Sequence, residues 1–427
     1  MFHVEQRLLT TFAALQQYGT CDNARPFGAP PVISLERYAD LLGRPALRAA
    51  IGASILGRLP IGITGLAVLM LIQDASQSFG RGGAVAACYV AGLASVAPVL
   101  GRVIDRVGPR SVLRFSAIAF PASLAALVAA QGGEAQWPSF LFAALAGACF
   151  PPITVCMRTF LKQQLKDDAL LAAAYSLESV LIETIFIVGP GLVAVFVALA
   201  SPAAAVIFAA ACGCAGALLF QRSKALEHWR IEPRGNAGVF GPLAERGFPS
   251  LLAVITCYAC AFGLVEIGTT AYATEAASPA MAGVLLGVMS VGSAVGGLVY
   301  GSRTWRLPLA RQFALMLAVM GIGIAPLALL RDFLPFALWC VAAGIAMAPA
   351  LIMQSMLVAR LSRPEHSTEA FTWSSTGLLA GVGLGLTFGG AMLETARSPS
   401  VFATAAGLSL LASGLALRLV RARERRD

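Results

Sequence analysis

Long apolar stretches, separated by short polar connections, recur along most of the chain. A helix of about 20 apolar residues crosses the hydrocarbon core of a bilayer, so each stretch predicts one membrane-spanning helix. The twelve predicted spans are 46–73, 82–101, 111–131, 138–158, 171–199, 201–220, 249–273, 279–300, 308–330, 334–357, 369–393 and 399–419. The pattern predicts an all-α membrane protein with six spans on either side of a longer polar gap.

The polar gap predicts a division into two bundles. Residues 221–247 combine charged residues with Pro and Gly, as is typical of a linker. The predicted parts are a cytoplasmic N-terminal segment (1–45), a first six-helix bundle (46–220), a cytoplasmic linker (221–247), a second six-helix bundle (248–420) and a basic cytoplasmic tail (421–427). Within the first part, residues 34–48 carry apolar side chains at helical spacing. This spacing predicts either a helix on the inner membrane surface or a plain leader.

Basic residues predict the orientation of the spans. The chain has 31 Lys and Arg against 22 Asp and Glu. The connections fall into two alternating sets, and one set holds only Arg81, Arg331 and Arg397. Cytoplasmic loops retain positive charge, so the other set and both termini are predicted to be cytoplasmic, in a multi-pass protein of the inner (plasma) membrane. Membrane orientation then accounts for the net charge of +9, and no nucleic-acid partner is expected.

Composition excludes a soluble enzyme. Hydrophobic residues make up 58% of the chain and charged residues 12%, and the mean hydropathy is +0.77, which leaves too little polar surface for a water-soluble protein. The nine cysteines lie mostly in apolar runs without metal-binding spacing, and His3, His228 and His366 are far apart. None of the lysines follows a glycine as in a Walker A motif. We therefore predict no catalysis, no metal and no cofactor.

An internal offset of 196 residues relates the two predicted bundles. It places Gly101 on Gly297 and Arg110 on Arg306. The same offset places Ala174, Tyr175, Ser176 and Ser179 on Ala370, Phe371, Thr372 and Ser375. Two separate windows that agree on one offset without gaps predict a six-plus-six duplication, and hence two pseudo-symmetric bundles.

The connection between the second and third spans carries a glycine- and arginine-rich motif. It reads Gly101-Arg-Val-Ile-Asp105-Arg106-Val-Gly108-Pro-Arg110. It resembles the signature loop of the major facilitator superfamily, in which a glycine, an aspartate four residues on, a basic residue, a glycine and further basic residues follow each other. Glycines let helix ends approach closely, and Asp105 is able to bind a helix N-terminus or an arginine across the interface between the halves. A simple positive-inside turn is the alternative interpretation.

The resemblance implies two six-helix halves that rock around a midplane cavity. The second half has no acid at the position of Asp105, so the lock made by this loop is expected to be asymmetric. In the fifth span, Gly189-Pro190 resembles the core of a motif in the family's proton-coupled exporters, although the flanking glycine pattern is incomplete. This motif favours export over uptake, and a bent helix without directional meaning is the alternative.

Few ionisable residues lie inside the predicted spans, where each is costly. Arg58 and Glu183 each lie about 12 residues into a span that starts on the same side, so they are predicted at one depth, as a structural pair or a proton switch. Glu178 lies nearer the inner surface and is expected to pair with Arg158. Glu266 has no arginine at its depth in its own half and is the candidate for a lone, proton-binding carboxylate. Pairing with Arg58 across the cavity, or a quiet role as a neutral acid, is the alternative.

The resemblance also implies that the first, fourth, seventh and tenth spans line the cavity. Besides the charged residues, the expected lining is Thr154, Met157, Tyr258, Phe262, Tyr272, Trp339, Met347, Met353 and Gln354. Met and aromatic surfaces suit apolar or amphipathic ligands, and ordinary helix packing explains most of them equally well.

The predicted function is secondary active transport. We expect proton-coupled efflux of a small organic solute, such as a drug, sugar or amphipathic metabolite, by a monomer embedded in membrane lipids. A proton-coupled uptake permease is the alternative within the same fold, and a membrane-embedded receptor or scaffold is the alternative from another class.

Overall fold

The computed structural model describes residues 36–132, 136–223, 226–227, 229–231, 241–276 and 281–424, and within these ranges all regular structure is helical. The predictions for residues 1–35, for part of the linker and for the last residues of the tail lie outside the described residues. The α-helices are α1 (Glu36–Gly43), α2 (Pro45–Ser76), α3 (Phe79–Val107), α4 (Pro109–Ala129), α5 (Trp137–Ala148), α6 (Ile153–Gln164), α7 (Asp168–Leu199), α8 (Pro202–Arg222), α9 (Phe248–Glu275), α10 (Met281–Ser302), α11 (Leu309–Ile324), α12 (Phe333–Gly344), α13 (Met347–Leu361), α14 (Ser367–Leu393) and α15 (Ser398–Glu424). In the described part of the chain, 12 helical segments are long and apolar enough to cross a membrane, and each overlaps one predicted span.

Each half forms its own bundle, and the two bundles have matching neighbours. In the first half, α2 and α4 both pack against α8, and α3 packs against α5. In the second half, α9 and α11 both pack against α15, and α10 packs against α12. The same arrangement of six spans thus occurs twice, and the predicted fold of two pseudo-symmetric six-helix bundles is confirmed.

Two spans are broken at equivalent positions. The fourth span is interrupted at 149–152, between α5 and α6, where Pro151 and Pro152 lack the N–H that a continuing helix needs. The tenth span is interrupted at 345–346, between α12 and α13. The offset of 196 places the first break on 345–348, which overlaps the second. The repeat inferred from two sequence windows therefore extends to the helix breaks.

The buried apolar core shows where the halves are joined. We call the end of the bundle that carries the linker the linker end, and the opposite end the distal end. One core cluster contains residues of both halves, and its first-half members lie toward the linker end, for example Ile104, Phe160 and Phe220. A second cluster, which includes Val68 and Phe150, contains only first-half residues toward the distal end. The halves are therefore joined at the linker end and parted at the distal end.

The short helix α1 lies against the protein at the linker end. It packs on α2 and α7, and Tyr38 and Leu41 on its apolar face are buried. The sequence predicted a membrane-surface helix or a plain leader for this segment. The helix itself is present at Glu36–Gly43, and its apolar face covers other helices of the same chain. Its position at the inner membrane surface stays a prediction.

Candidate functional site

Asp105 joins the two halves at the linker end. It lies near the end of α3, and its carboxylate accepts the backbone N–H groups of Thr368 (2.9 Å) and Glu369 (2.8 Å) in the first turn of α14. The N-terminus of a helix carries a partial positive charge and unpaired N–H groups, so it favours a carboxylate. Of the two partners predicted for Asp105, the structure shows the helix N-terminus.

Arg102 makes a second charged contact at this crossing. Its guanidinium donates from Nη2 (2.6 Å) and Nε (3.1 Å) to Oε1 of Glu369, whose side chain is fully buried. The helices approach closely here, and the missing side chain of Gly101 makes this possible. A Cβ atom at Gly101 would lie only 2.9 Å from Cα of Glu369. Gly108 has a φ of 82°, which favours glycine, and allows the tight turn from α3 into α4.

The other basic residues of the motif play no part in the crossing. Arg106 and Arg110 are exposed at the linker end. Lys162 does join the halves, because its Nζ donates to Ser362 O (3.0 Å), Ser362 Oγ (2.9 Å) and Ser367 Oγ (2.8 Å). The charged contacts across the linker end are therefore those of Asp105, Arg102 and Lys162, together with the exposed ion pair of Arg360 with Asp168. Sequence reasoning missed the lysine and this ion pair.

Replacing Asp105 with alanine is expected to weaken this lock. Losing a helix cap costs about 1 kcal/mol, or roughly a 5-fold change in the ratio of closed to open forms. Ser201→Ala is the control, because Ser201 caps α8 within its own half by accepting the N–H of Ala204 (3.2 Å). The opening of the linker end is measured by electron–electron resonance between spin labels on the two halves. Equal distance distributions for both variants would contradict the role of Asp105.

A buried ion pair lies inside the first half. Nη2 of Arg58 and Oε1 of Glu178 are 2.8 Å apart, and the two side chains are only 1% and 3% exposed. The predicted pair of Arg58 with Glu183 is therefore wrong, and so is the choice of Arg158 as the direct partner of Glu178. Five residues correspond to about 140° around a helix, so Glu178 and Glu183 lie on different faces of α7. Glu178 faces Arg58 on α2, whereas Glu183 faces Ser293 on α10.

The same centre holds a second arginine and unsatisfied donors. Arg158 on α6 is within electrostatic range of Arg58, Glu178 and Tyr258. Among the described residues, Nε, Nη1 and Nη2 of Arg58, both carboxylate oxygens of Glu178 and Nε of Arg158 are buried without a hydrogen bond. The ion pair is thus close but poorly aligned for hydrogen bonding. Buried polar groups normally have partners, so this centre has the capacity to bind a polar ligand or water.

Polar side chains of the second half meet this centre. Tyr258 on α9 donates a hydrogen bond to Oε1 of Gln354 on α13, and Nε2 of Gln354 donates to Oγ of Ser374 on α14 (2.6 Å). Phe262 packs edge-on against Tyr258, with ring centroids 5.3 Å apart. The structure thus groups Tyr258, Phe262 and Gln354 in the second half and Arg58 with Glu178 in the first, and Arg158 lies within electrostatic range of both Glu178 and Tyr258.

The family model of the Major Facilitator Superfamily matches residues 50–276 and 250–427. The chain belongs to the major facilitator superfamily. Membership makes it a multi-pass membrane transporter with a small-molecule substrate.

Solved structures of other superfamily members share the fold. A bacterial homologue of the iron transporter ferroportin, in its outward-facing state, is 14% identical with a TM-score of 0.73, over 88% of this chain and 99% of that one. The human organic anion transporter MFSD10 (TETRAN) is 18% identical with a TM-score of 0.69, over 87% and 100%. The E. coli fucose:proton symporter FucP is 12% identical with a TM-score of 0.70, over 88% and 99%. No curated protein matches the chain in sequence.

Some of the residues expected to line the cavity of this transporter lie elsewhere. Tyr272 stacks on Phe336, with ring centroids 3.7 Å apart, and donates to the carbonyl of Arg331 (2.9 Å). Trp339 donates from its indole to the carbonyl of Gly323 on α11 (2.8 Å). Both side chains are held by partners within the second half, so the expectation that they line the space between the halves is wrong.

The methionines and Thr154 give a mixed result. Met157 lines a small cavity together with Leu41 and Glu178. Met353 is fully buried in the shared core, whereas Met347 and Thr154 are half-buried. Only Met157 is thus placed directly beside the charged centre.

Of the remaining two carboxylates, Glu183 lies on the side of its half that faces the other half. Oε1 of Glu183 accepts a hydrogen bond from Ser293 on α10, across the interface (2.8 Å). Glu266 is exposed, and it makes no hydrogen bond or ion pair with the described residues. On the same face of α9, Ile255 and Ala259 toward the linker end are buried, whereas Thr270 toward the distal end is exposed. The side chains on this face of α9 are thus buried toward the linker end and exposed toward the distal end.

Gly189 allows α7 to pack closely on α2. A Cβ atom at Gly189 would lie 2.6 Å from the carbonyl carbon of Gly62. Helix α7 continues through Pro190 to Leu199. Close helix packing explains the glycine locally, and the resemblance of Gly189-Pro190 to an exporter motif stays a prediction.

Proposed function

We propose that this transporter couples the inward movement of protons to the efflux of a small organic solute by alternating access. The observation that supports the proposal best is Glu266. It is a carboxylate within a membrane-spanning helix, on a face exposed toward the distal end, without a partner among the described residues. An ionised carboxylate becomes costly when the distal end closes over it and removes its water, and binding a proton removes that cost.

The proposed cycle takes the linker end as cytoplasmic, with both termini inside, in a monomer of the inner (plasma) membrane. The described conformation is then outward-facing, and Glu266 takes up a proton from outside. The neutral side chain allows the distal end to close and the linker end to open, where the proton leaves and the solute binds. Proton and solute alternately occupy the site at Glu266, which gives antiport. The outward direction of the solute rests on the Gly189-Pro190 resemblance.

A second candidate function, proton-coupled uptake of an organic anion, is supported by the charges of the buried centre. Arg58 and Arg158 carry two positive charges against the single negative charge of Glu178. An anionic group would compensate the excess and use the unsatisfied guanidinium donors. A proton on Glu178 would release Arg58 for the anion, so proton and anion would travel in the same direction. One structural neighbour is named an organic anion transporter, although its 18% identity shows the fold alone.

The sign of proton movement on solute binding separates the two functions. The purified protein is placed in unbuffered detergent solution, and drugs, sugars and organic anions are added in turn while the pH is recorded. Efflux by antiport predicts proton release, because solute and proton compete. Uptake with an anion predicts proton uptake. If none of the compounds produces a change in pH, both candidate functions are contradicted.

The control for this experiment is Glu275→Gln. Glu275 lies at the distal end of α9, and its carboxylate accepts hydrogen bonds from the N–H and Oγ of Ser398 (both 2.9 Å). It is thus a carboxylate on the same helix as Glu266 that is tied within one half. The proton signal is expected to persist in this variant and to be lost in Glu266→Gln for antiport, or in Glu178→Gln for uptake. A signal lost in the control as well would indicate general damage to the protein.

A further inference from the structure

The second half lacks the acid that locks the first half at the linker end. Asp105 ties α3 to the start of α14, and the offset of 196 residues places Gly301, near the end of α10, at the corresponding position. The symmetric partner of the α3–α14 crossing is the crossing of α10 with α7, and these two helices do pack together. A different contact must therefore hold this second crossing.

Tyr38 of α1 occupies the place of the missing acid. A Cβ atom at Gly301 would lie 2.6 Å from the Tyr38 hydroxyl and 2.7 Å from Oγ of Ser176 on α7. The Tyr38 hydroxyl lies 2.9 Å from Oγ of Ser176 and donates toward the carbonyl of Leu298 on α10 (3.1 Å). Ser176 in turn donates to the carbonyl of Gly297 (2.6 Å). One hydroxyl of α1 is thus in contact with both halves at once.

We propose that α1 is a component of the gate, and that Tyr38 holds the linker end closed at the crossing where the repeat carries no acid. The two crossings then have different locks. In one, the Asp105 carboxylate caps the N-terminus of α14; in the other, the Tyr38 hydroxyl contacts both α7 and α10. When the linker end opens, α7 and α10 separate, so Tyr38 has to leave at least one of them.

The rest of α1 supports this role. Leu41 is completely buried and lines the small cavity that also contacts Met157 and Glu178. The helix thus covers the charged centre from the linker end while Tyr38 bridges the halves. Burial raises the pKa of the Tyr38 phenol, so the hydroxyl stays neutral and able to donate throughout the physiological pH range. The bridge is therefore independent of the proton binding assumed in the transport cycle.

Tyr38→Phe tests the proposal, because it keeps the buried ring and removes only the hydroxyl. The full chain is placed in liposomes without substrate, with spin labels on noncanonical amino acids at the exposed positions Ser111 and Arg303, one in each half. An Asp105→Ala background brings the open form into the measurable range. Losing the bridge is expected to raise the ratio of open to closed forms by about 5-fold.

Tyr300→Phe is the matched control, because the hydroxyl of Tyr300 donates to Gln312 within the second half, near the same end (2.9 Å). Its open fraction is expected to equal that of the background. Ser176→Ala removes the direct hydrogen bond from α7 to the carbonyl of Gly297 as well as the contact with Tyr38, so it is expected to open the linker end more than Tyr38→Phe. An unchanged ratio in Tyr38→Phe would overturn the proposal. The readout contains no transport step, so it stands or falls separately from the proposed function.

Discussion

Replacing Glu266 with glutamine is expected to abolish proton-driven transport and to reduce solute flux to that of protein-free liposomes. Glutamine has nearly the same size but does not bind a proton at neutral pH, so the variant is locked in the neutral state of the cycle. The side chain is exposed and has no partner among the described residues. The free energy of unfolding is therefore expected to change by less than about 0.5 kcal/mol.

The measurement is solute flux in proteoliposomes under an imposed pH gradient, compared with Glu275→Gln on the same helix. Full activity of Glu266→Gln would contradict its role as proton carrier. If Glu183→Gln were inactive in that case, the role would pass to Glu183, whose hydrogen bond with Ser293 spans the halves. Two active variants would remove the support for proton coupling through either carboxylate.

Replacing Arg58 with methionine is expected to cause the largest loss of stability. The change leaves Glu178 buried without its direct partner, and breaking a buried ion pair typically costs about 3–5 kcal/mol. The expected loss is near 3 kcal/mol, the lower end of that range, because the positive charge of Arg158 remains within electrostatic range of Glu178. The loss is measured as a shift in thermal unfolding in detergent.

The double variant Arg58→Met, Glu178→Leu is the control for this prediction. Replacing both members of a buried pair with apolar residues is often close to neutral, so the double variant is expected to recover most of the lost stability. A double variant no more stable than Arg58→Met would show that the guanidinium matters through other contacts. A single variant as stable as the wild-type protein would show that Glu178 is neutral in the folded state.

Sequence alone predicted the twelve membrane spans, their division into two repeats and the crossing made by Asp105. The first two follow from hydrophobicity and from an offset, neither of which needs the direction of a side chain. Asp105 was found through the resemblance of its motif to the signature loop of the family. A carboxylate at the end of a helix suits the N-terminus of another helix, so one of the two predicted partners followed from charge alone. The same motif contained Arg102, but nothing in the sequence singled it out from the exposed Arg106 and Arg110.

The errors have one cause, which is that residue counting gives depth along a span but not direction around it. Trp339 and Tyr272 were selected because their spans face the cavity, whereas their own faces turn toward neighbours in the same half. Tyr258, selected by the same rule, lies within electrostatic range of Arg158 in the first half. The contact of Tyr38 with Gly301 was beyond sequence reasoning altogether, because no local pattern relates a short N-terminal helix to the end of a helix in the second repeat.

A core that joins the halves at one end only makes the two sides of the membrane unequal for a ligand. A solute that enters from the distal end meets a protein already in its binding form. A solute that enters from the linker end binds only the fraction of molecules that have separated there, and its apparent dissociation constant rises by the inverse of that fraction. The same compound is thus expected to have a weaker apparent affinity from the linker side. A bulky compound bound between the halves at the distal end would prevent that end from closing and so stop the cycle. It would not compete with a solute for entry from the linker side.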